Sequence, residues 1–225
     1  MAAAVSHELK TPLSSMRLLV DTLLDEPAPA DSVKTHEYLA LISRENARLS
    51  RLIENFLMFS RIERNQYVCR LEETQPAGVV RGALDAIGEK LQEYEVDVDV
   101  APGLPAIRAD VGALVAVLVN LLDNAFKYTA ENKQIRVRAF SNKERVCFQV
   151  ADNGIGLAPK EVKKIFRKFY RVDQRLARRA GGCGLGLAIV DFIVSAHVGS
   201  IEVESRPGAG TAFTVSVPRG AESVA

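Results

Sequence analysis

The 225-residue sequence contains no tryptophan, only three cysteines and no apolar run of about 20 residues. A run of that length is what a helix needs to cross a bilayer, so no membrane span is predicted. Cys69, Cys147 and Cys183 lie far apart and form no CxxC or Cys/His pattern. This spacing predicts reduced thiols rather than a disulfide framework or a zinc site. No charged and then apolar leader opens the sequence, so no signal peptide is expected.

An excess of either charge is also missing. Lysine and arginine number 29 against 28 for aspartate and glutamate, a formal net charge of +1. This balance excludes a general electrostatic attraction to nucleic acid and restricts any basic function to a local cluster. Hydrophobic residues make up 48% of the chain, which is enough to bury a core. The length predicts one large domain or two modest ones.

The first 65 residues carry two helical patterns separated by a break. Apolar residues recur at helical spacing from Ala2 to Leu24, and the prolines at 27 and 29 then forbid continuation of the helix. Asp31-Ser32 offers an N-cap for a second helix with a heptad seam. The seam consists of Tyr38, Ile42, Glu45, Leu49, Leu52, Phe56 and Phe59. Because a lone hairpin cannot bury both apolar seams, pairing with a second copy into a four-helix bundle is predicted.

From residue 67 the pattern changes to alternation. Five segments have a period of two, typical of half-buried strands, at residues 96–100, 135–139, 146–150, 201–204 and 213–217. Helical patterns lie near residues 76–92, 110–128 and 185–197. The one-sided polarity of the strands favours an α/β sandwich over a doubly wound parallel sheet. We therefore expect an α+β chain with a helical hairpin domain at 1–65, a mixed sheet covered by helices on one face at 66–220, and a frayed tail at 221–225.

The first candidate site is the run from Ser6 to Leu13. On a helix His7 and Thr11 share a face, whereas Glu8 projects about 100° away. Pro12 removes a helical hydrogen bond and should bend the helix one turn beyond His7. A histidine with a neighbouring carboxylate can act as a nucleophile at neutral pH, because the carboxylate takes or orients the ring proton. For His7 alone, a surface histidine of an amphipathic helix is the alternative.

The second candidate site is a polar stripe on an otherwise apolar helix. Asn120, Asn124 and Lys127 fall at positions i, i+4 and i+7. Two amides and an ammonium on such a helix are costly unless something polar binds against them. Amide oxygens suit Mg²⁺, which takes oxygen ligands and usually retains water and substrate phosphates. A hydrogen-bonded polar face without a ligand is the alternative.

Two glycine segments follow. Asp152-Asn153-Gly154-Ile155-Gly156 comes directly after a strand, and its carboxylate can accept a hydrogen bond from an adenine amino group; the same letters are also ordinary turn chemistry. Gly181–Ala188 opens a helix, which makes a ready site for phosphates. The arginines upstream form either a basic lid over phosphates or a solvated charge run. These arginines are Arg171, Arg175, Arg178 and Arg179.

Taken together and in this order, these segments resemble the sequence boxes of the histidine kinase family. The match covers nearly the whole chain. The H, N and G1 boxes correspond to Ser6–Leu13, Asn120–Tyr128 and Asp152–Leu157. The F box, the G2 box and the last glycine element correspond to Phe166–Arg171, Gly182–Leu187 and Gly208–Phe213.

The resemblance implies a homodimeric four-helix bundle followed by an ATP-binding domain of the kind shared with Hsp90, gyrase and MutL. It implies ATP and Mg²⁺ as cofactors, and phosphorylation of His7 with Glu8 as the hydrogen-bonding base for the ring. The phosphoryl group would then pass to an aspartate on the receiver domain of a response regulator. Thr11 matches the position that in similar kinases orients water for dephosphorylation of that regulator.

The resemblance also assigns the nucleotide site residue by residue. Asn124 is implied as the principal Mg²⁺ ligand, with Asn120 helping the metal or the phosphates. Lys127 and Tyr128 would contact phosphate or ribose, and Asp152 would read adenine. The other residues assigned to the nucleotide site are Gly154, Gly156, Phe169, Arg171, Gly182, Gly184, Leu185, Gly186 and Thr211.

Two residues depart from the family pattern. Cys183 stands where the family mostly carries Thr or Ser, and Val198 replaces a usual glycine in the turn after a helix; we expect tuned nucleotide affinity rather than a dead enzyme. A hydrolytic ATPase switch would need a carboxylate where this chain has Asn120, and a noncatalytic dimerising scaffold would not need His7 and the glycines. The expected location is the cytoplasm, including the cytoplasmic part of a membrane-anchored sensor, with no contact of this region with membrane or nucleic acid.

Overall fold

The computed structural model describes residues 2–25, 33–88, 96–129, 132–172 and 183–220, with side chains from Leu9 onward. The chain divides into two compact units. The first contains the chain up to Tyr67 together with residues 183–185, and the second contains the sheet from Val68 onward. The predicted break and N-cap between the two helices and the predicted tail at 221–225 lie outside the described residues.

The first unit is the predicted helical hairpin. Helix α1 (Ala2–Asp25) continues through Pro12, which is buried, and packs against helix α2 (Val33–Glu63). Of the seam residues of α2, Leu52 and Phe59 are buried and only Phe56 is exposed. Many other apolar side chains of the hairpin remain exposed, namely Leu13, Leu18, Val20, Leu24, Leu39, Leu41, Ile53 and Leu57. A single hairpin therefore leaves much of its apolar surface uncovered.

The second unit is built on a mixed sheet. Its strands in chain order are β1 (Glu72–Thr74), β2 (Val96–Val100), β3 (Ile107–Ala109), β4 (Ile135–Asn142), β5 (Arg145–Asp152), β6 (Ser200–Ser205) and β7 (Thr211–Pro218). Five of them form one sheet in the order β2-β4-β5-β7-β6, in which β2 and β4 are parallel and the other neighbours antiparallel. Each of the five alternating segments is a strand of this sheet, as predicted. The short antiparallel pair of β1 and β3 was not predicted.

One face of the sheet is covered by helices, which confirms the predicted sandwich. The helices in the described residues of this unit are α3 (Pro76–Ala86), α4 (Val111–Tyr128), α5 (Pro159–Val162) and α6 (Gly186–Ala196). On β5 the side chains of Val146, Phe148 and Val150 are buried, and α4 packs against this strand and against both α3 and α6. By length and composition α4 could cross a membrane. Because eight of its residues are buried, the same composition is that of a core helix.

Asp110 joins three parts of the second unit. Its Oδ1 accepts a hydrogen bond from the Ala113 N–H at 3.0 Å and so caps the N-terminus of α4. Its own N–H donates to His197 Nε2 at 3.0 Å, and its Oδ2 accepts from the Arg70 N–H at 3.2 Å. His197 is buried, and its Nδ1 donates to the Ile193 carbonyl at 2.7 Å. This Asp110 joint therefore ties residue 70, the start of α4 and the end of α6 together.

The three cysteines are free thiols, as predicted. Cys69 Sγ lies 3.7 Å from His197 Nε2, and burial, followed by the charge of Asp110, raises the pKa of the Cys69 thiol. A raised pKa keeps this thiol protonated and unreactive at neutral pH.

Val198 ends α6 in a strained conformation. Its φ is 53°, in the left-handed region that favours glycine, and its side chain is 74% exposed. The Gly199 N–H donates to the Val194 carbonyl at 2.9 Å and closes the turn. The departure from glycine at 198 therefore leaves the turn intact at a cost in backbone energy.

We predict that Val198→Gly stabilises the second unit by about 0.5–1 kcal/mol. Relief of the left-handed strain exceeds the extra backbone freedom that glycine has in the unfolded chain. Denaturant unfolding followed by circular dichroism measures the change. The matched control is Ser195→Gly, which places the same residue inside α6 and should destabilise by about 0.5–1 kcal/mol. A lower unfolding midpoint for Val198→Gly than for the unaltered chain would contradict the strain.

Candidate functional site

Helix α4 presents the predicted polar stripe. Asn120 is partly buried, and its Nδ2 donates to the Ala116 carbonyl at 2.8 Å. Its Oδ1 faces Gly186 at the start of α6, where a Cβ atom on that glycine would come within 2.7 Å of the oxygen. A side chain at position 186 would therefore displace the Asn120 amide oxygen from its present position. Asn120 of the N box and Gly186 of the G2 box are thus brought together.

Lys127 on this stripe is paired with an acidic residue of the same helix. Its Nζ forms an ion pair with Asp123 Oδ2 at 2.6 Å. Sequence reasoning missed Asp123, although the i, i+4 spacing of an acidic and a basic residue on one helix is a recognisable signal. Asn124, between them in the chain, is partly buried.

Tyr128 ends α4 close to the F-box segment. Burial is the largest cause that raises the pKa of its hydroxyl, the positive charge of Arg171 lowers the pKa, and the negative charge of Asp123 raises it. Arg171 is therefore near enough to Tyr128 to act on it electrostatically. Tyr128 and Arg171, which the sequence analysis assigns to the nucleotide site, therefore lie within range of an electrostatic interaction although they are far apart in the chain.

Asp152 ends β5 in a partly buried position. Its Oδ1 accepts a hydrogen bond from the Gly154 N–H at 2.8 Å, and the carboxylate also accepts from the Thr211 N–H. Burial raises the pKa of Asp152, and these two hydrogen bonds oppose that rise. Thr211 is the register partner of Asp152 on β7, so the G1 box and the last glycine element meet at this carboxylate.

The loop after β5 lies directly against the end of α4. The Ile155 N–H donates to the Tyr128 carbonyl at 3.1 Å, and a Cβ atom on Gly154 would lie 2.4 Å from that carbonyl oxygen. Gly156 has a φ of 63°, and a Cβ atom there would lie 1.9 Å from the Arg206 carbonyl oxygen. Both glycines are therefore required by close backbone contacts.

Ser205 connects this loop to the last glycine element, a contact that sequence reasoning missed. Its Oγ accepts from the Leu157 N–H at 2.8 Å and lies 2.8 Å from Thr211 Oγ1 and 3.0 Å from the Gly210 carbonyl. A serine at the end of a strand gives no local signal for such contacts. Ser205 therefore fixes the two loops beside Asp152 relative to each other.

The F-box segment has its own anchor. Phe169 has a φ of 61°, and the hydroxyl of the next residue, Tyr170, donates to Glu161 Oε2 on α5. Lys164 lies 3.7 Å from the other carboxylate oxygen. Glu161 is buried although it is charged, and the hydroxyl and the ammonium compensate it there. The chain just before Arg171 is therefore held in place by Glu161.

Several predicted site residues are only partly described. His7 and Glu8 lie on α1, but their side chains are outside the described part of the chain, as are Gly182 and the arginines at 175, 178 and 179. Thr11 is exposed, one helical turn after His7. Gly184 has a φ of 66°, and Leu185 is buried; both group with the first unit.

The oxygen donors of α4 fit a magnesium ion. Among the described residues there is no cluster of three or more histidine, cysteine or acidic side chains that could hold a metal. Mg²⁺ does not need such a cage, because it is usually bound through one or two protein oxygens together with water and substrate phosphates. Because the Asn120 Nδ2 is hydrogen-bonded within its own helix, the oxygen is the atom that faces away from α4. The amide oxygens of Asn120 and Asn124 are of the chemical type that Mg²⁺ prefers.

Comparison with known proteins gives a consistent result. Residues 109–221 match the family of histidine kinase-, DNA gyrase B-, and HSP90-like ATPases, and residues 1–65 match the His Kinase A (phospho-acceptor) domain. The circadian input-output histidine kinase CikA of Synechococcus elongatus is 33% identical over 96% of this chain and 29% of its own length. The sensor-like histidine kinase SenX3 of Mycolicibacterium smegmatis is 31% identical over 96% of this chain and 56% of its own length. The chain thus spans little more than half of SenX3 and less than a third of CikA.

Among solved structures, full-length ShkA in complex with AMPPNP is similar, with a TM-score of 0.67 and 30% sequence identity. The similarity covers 97% of this chain and 45% of ShkA. The helical hairpin and the mixed-sheet unit therefore occur together, in this order, in another protein of related sequence.

We predict that Asp152→Asn raises the stability of the nucleotide-free chain, and that this gain grows with pH. Because the pKa of Asp152 is raised in the folded state, the carboxyl group favours folding below its unfolded pKa, and this contribution is lost as the pH rises through the folded pKa. An asparagine oxygen keeps the acceptor for Gly154 and Thr211 but does not titrate. Unfolding midpoints at about pH 4 and about pH 7.5 measure the difference. An equal effect at both pH values would contradict the role of burial.

Proposed function

The chain belongs to the histidine kinase family, and on that premise we propose that it is the catalytic core of a two-component sensor kinase that phosphorylates its own His7 from ATP and Mg²⁺. The observation that carries the proposal is the convergence of the predicted boxes around α4. Gly186 approaches Asn120, the Gly154 loop lies against the Tyr128 carbonyl, and Arg171 acts on Tyr128.

Nucleotide binding follows from these contacts. The partly buried Asp152 carboxylate can accept a hydrogen bond from the adenine amino group, while the Gly154 and Thr211 N–H groups hold it in place. Asn120 and Asn124 would hold Mg²⁺, which supplies neutralisation of the phosphate charge when bound. ShkA, which is similar over nearly this whole chain, has been captured with the nucleotide analogue AMPPNP, and this supports a nucleotide site here.

Phosphoryl transfer would begin with a ring nitrogen of His7. It attacks the γ-phosphorus, the bond from that phosphorus to the bridging oxygen breaks, and ADP leaves. Glu8, the next residue in the chain, would accept a hydrogen bond from the ring and stabilise the positive charge that develops on it. Lys127 and Arg171 would stabilise negative charge on the transferring group.

The hairpin supports a homodimer. Its exposed apolar residues, among them Leu13, Leu18, Ile53 and Leu57, are too many for a surface that faces only water. Pairing of two hairpins into a four-helix bundle would bury them. Such a bundle would present His7 and Thr11 on its outside to the receiver domain of a response regulator, whose aspartate would take the phosphoryl group. We place this reaction in the cytoplasm.

The first test is incubation with γ-labelled ATP and Mg²⁺. We expect the chain to gain an acid-labile, base-stable label, as a phosphohistidine requires, and His7→Gln to gain none. His36→Gln is the matched control, because it removes an exposed histidine from the other helix of the hairpin and should leave the label in place. Label on His7→Gln would assign the acceptor to another residue, and no label on any variant despite ATP binding would indicate a noncatalytic scaffold.

A second test concerns dephosphorylation of the regulator. Thr11 is exposed one turn after His7, where its hydroxyl could orient a water molecule towards a receiver phosphoaspartate. We expect Thr11→Ala to lose most of its ability to accelerate decay of a phosphorylated receiver domain while still incorporating label at His7. Normal acceleration by Thr11→Ala would contradict the phosphatase role.

A further inference from the structure

The ion pair between Asp123 and Lys127 stands on the side of α4 that faces the proposed nucleotide. Asp123 lies three residues after Asn120, one before Asn124 and four before Lys127. At about 100° per residue these four side chains fall within about 100° of the helix circumference. The carboxylate is therefore part of the polar stripe rather than of a separate helix face.

This pair is more enclosed than an ordinary surface pair. The side chains of Lys127 and Asp123 are 29% and 18% exposed, whereas the pair of Arg136 and Asp97, with the same 2.6 Å separation, is 61% and 57% exposed. Coulombic interactions are screened less when the partners are withdrawn from water. The charge of Asp123 also acts on Tyr128. Burial is the largest cause of the raised pKa of the Tyr128 hydroxyl, the positive charge of Arg171 lowers this pKa, and the negative charge of Asp123 raises it. Asp123 therefore weakens the positive field at this end of α4.

We propose that Asp123 is a positioning residue that lowers the affinity of the site for phosphate groups, by holding Lys127 in an ion pair that a bound nucleotide has to open or share. The proposal rests on the proposed function, because it takes ATP as the ligand of α4. The pair of an ammonium and a carboxylate has no net charge and so attracts a phosphate group less than the ammonium alone would. The carboxylate also repels the phosphate group. ADP as well as ATP is affected, so the pair favours release of product after transfer.

Two other roles for Asp123 have different consequences. If the carboxylate served Mg²⁺, its removal would weaken binding of ATP, and the loss would depend on the metal concentration. If the pair only stabilised the helix, its removal would either change the affinities for ATP, ADP and adenosine by the same factor or leave all three unchanged. The sign of the effect and its dependence on the number of phosphates therefore separate the three roles.

The experiment measures dissociation constants of ATP, ADP and adenosine by calorimetry on the whole chain, with Mg²⁺ present. We expect Asp123→Asn to bind ATP and ADP about threefold to tenfold more tightly, the range that fits loss of one partly enclosed ion pair. Adenosine, which has no phosphate, should bind as before. Asp97→Asn is the matched control, since it removes one carboxylate from the ion pair with Arg136 in the same unit and should leave all three constants unchanged.

A second background isolates the part played by the lysine. In Lys127→Met the gain from Asp123→Asn should fall by at least half, because no ammonium remains to be released. Weaker ATP binding by Asp123→Asn, an equal change for adenosine, or an undiminished gain in Lys127→Met would each overturn the assignment to Asp123. Failure of the unaltered chain to bind ATP would instead contradict the proposed function itself, and the inference with it.

Discussion

The structure of the second unit depends on one requirement: α4 has to bury an apolar side in the core and keep two amides and two opposite charges on its other side. The buried side packs against β5 and between α3 and α6, which fixes the rotation of the helix about its axis. The rotation of the helix then determines the directions in which the side chains of Asn120 and Lys127 project. The loop at Gly154 then lies against the backbone of α4, and the start of α6 at Gly186 lies against the Asn120 side chain.

Periodic features could be predicted from the sequence. The alternation in residues 96–100 and 135–139 identified strands of the sheet, and the spacing of Asn120, Asn124 and Lys127 identified a polar stripe, because both are repeats of a fixed geometry. Strands β1 and β3 could not be predicted, because three residues are too few to show an alternating pattern. Contacts between distant residues also escaped, as at Ser205 and His197, since only the folded chain brings their partners together.

The misses in the site have a common physical origin. The sequence predicts a site at Asn120 and Asn124 because amides on an apolar helix are costly without a polar partner, whereas no such pattern marks Asp123. The role proposed for Asp123 rests on its ion pair with Lys127 and on the enclosure of its side chain, and neither can be read from the sequence. Val198 is the reverse case. The departure from glycine was evident in the sequence, but the left-handed backbone that makes it costly is a property of the folded turn.

The Asp110 joint attaches one end of α4 to the backbone at residue 70. One end of this helix is fastened, through Asp110, to the backbone at Arg70, only a few residues beyond the end of α2. The other end carries Tyr128, whose carbonyl supports the glycine loop beside Asp152. An 18-residue helix is a stiff rod about 27 Å long. A change in the backbone position at Arg70 would therefore act, through Asp110, on one end of a stiff helix whose other end holds the glycine loop beside Asp152.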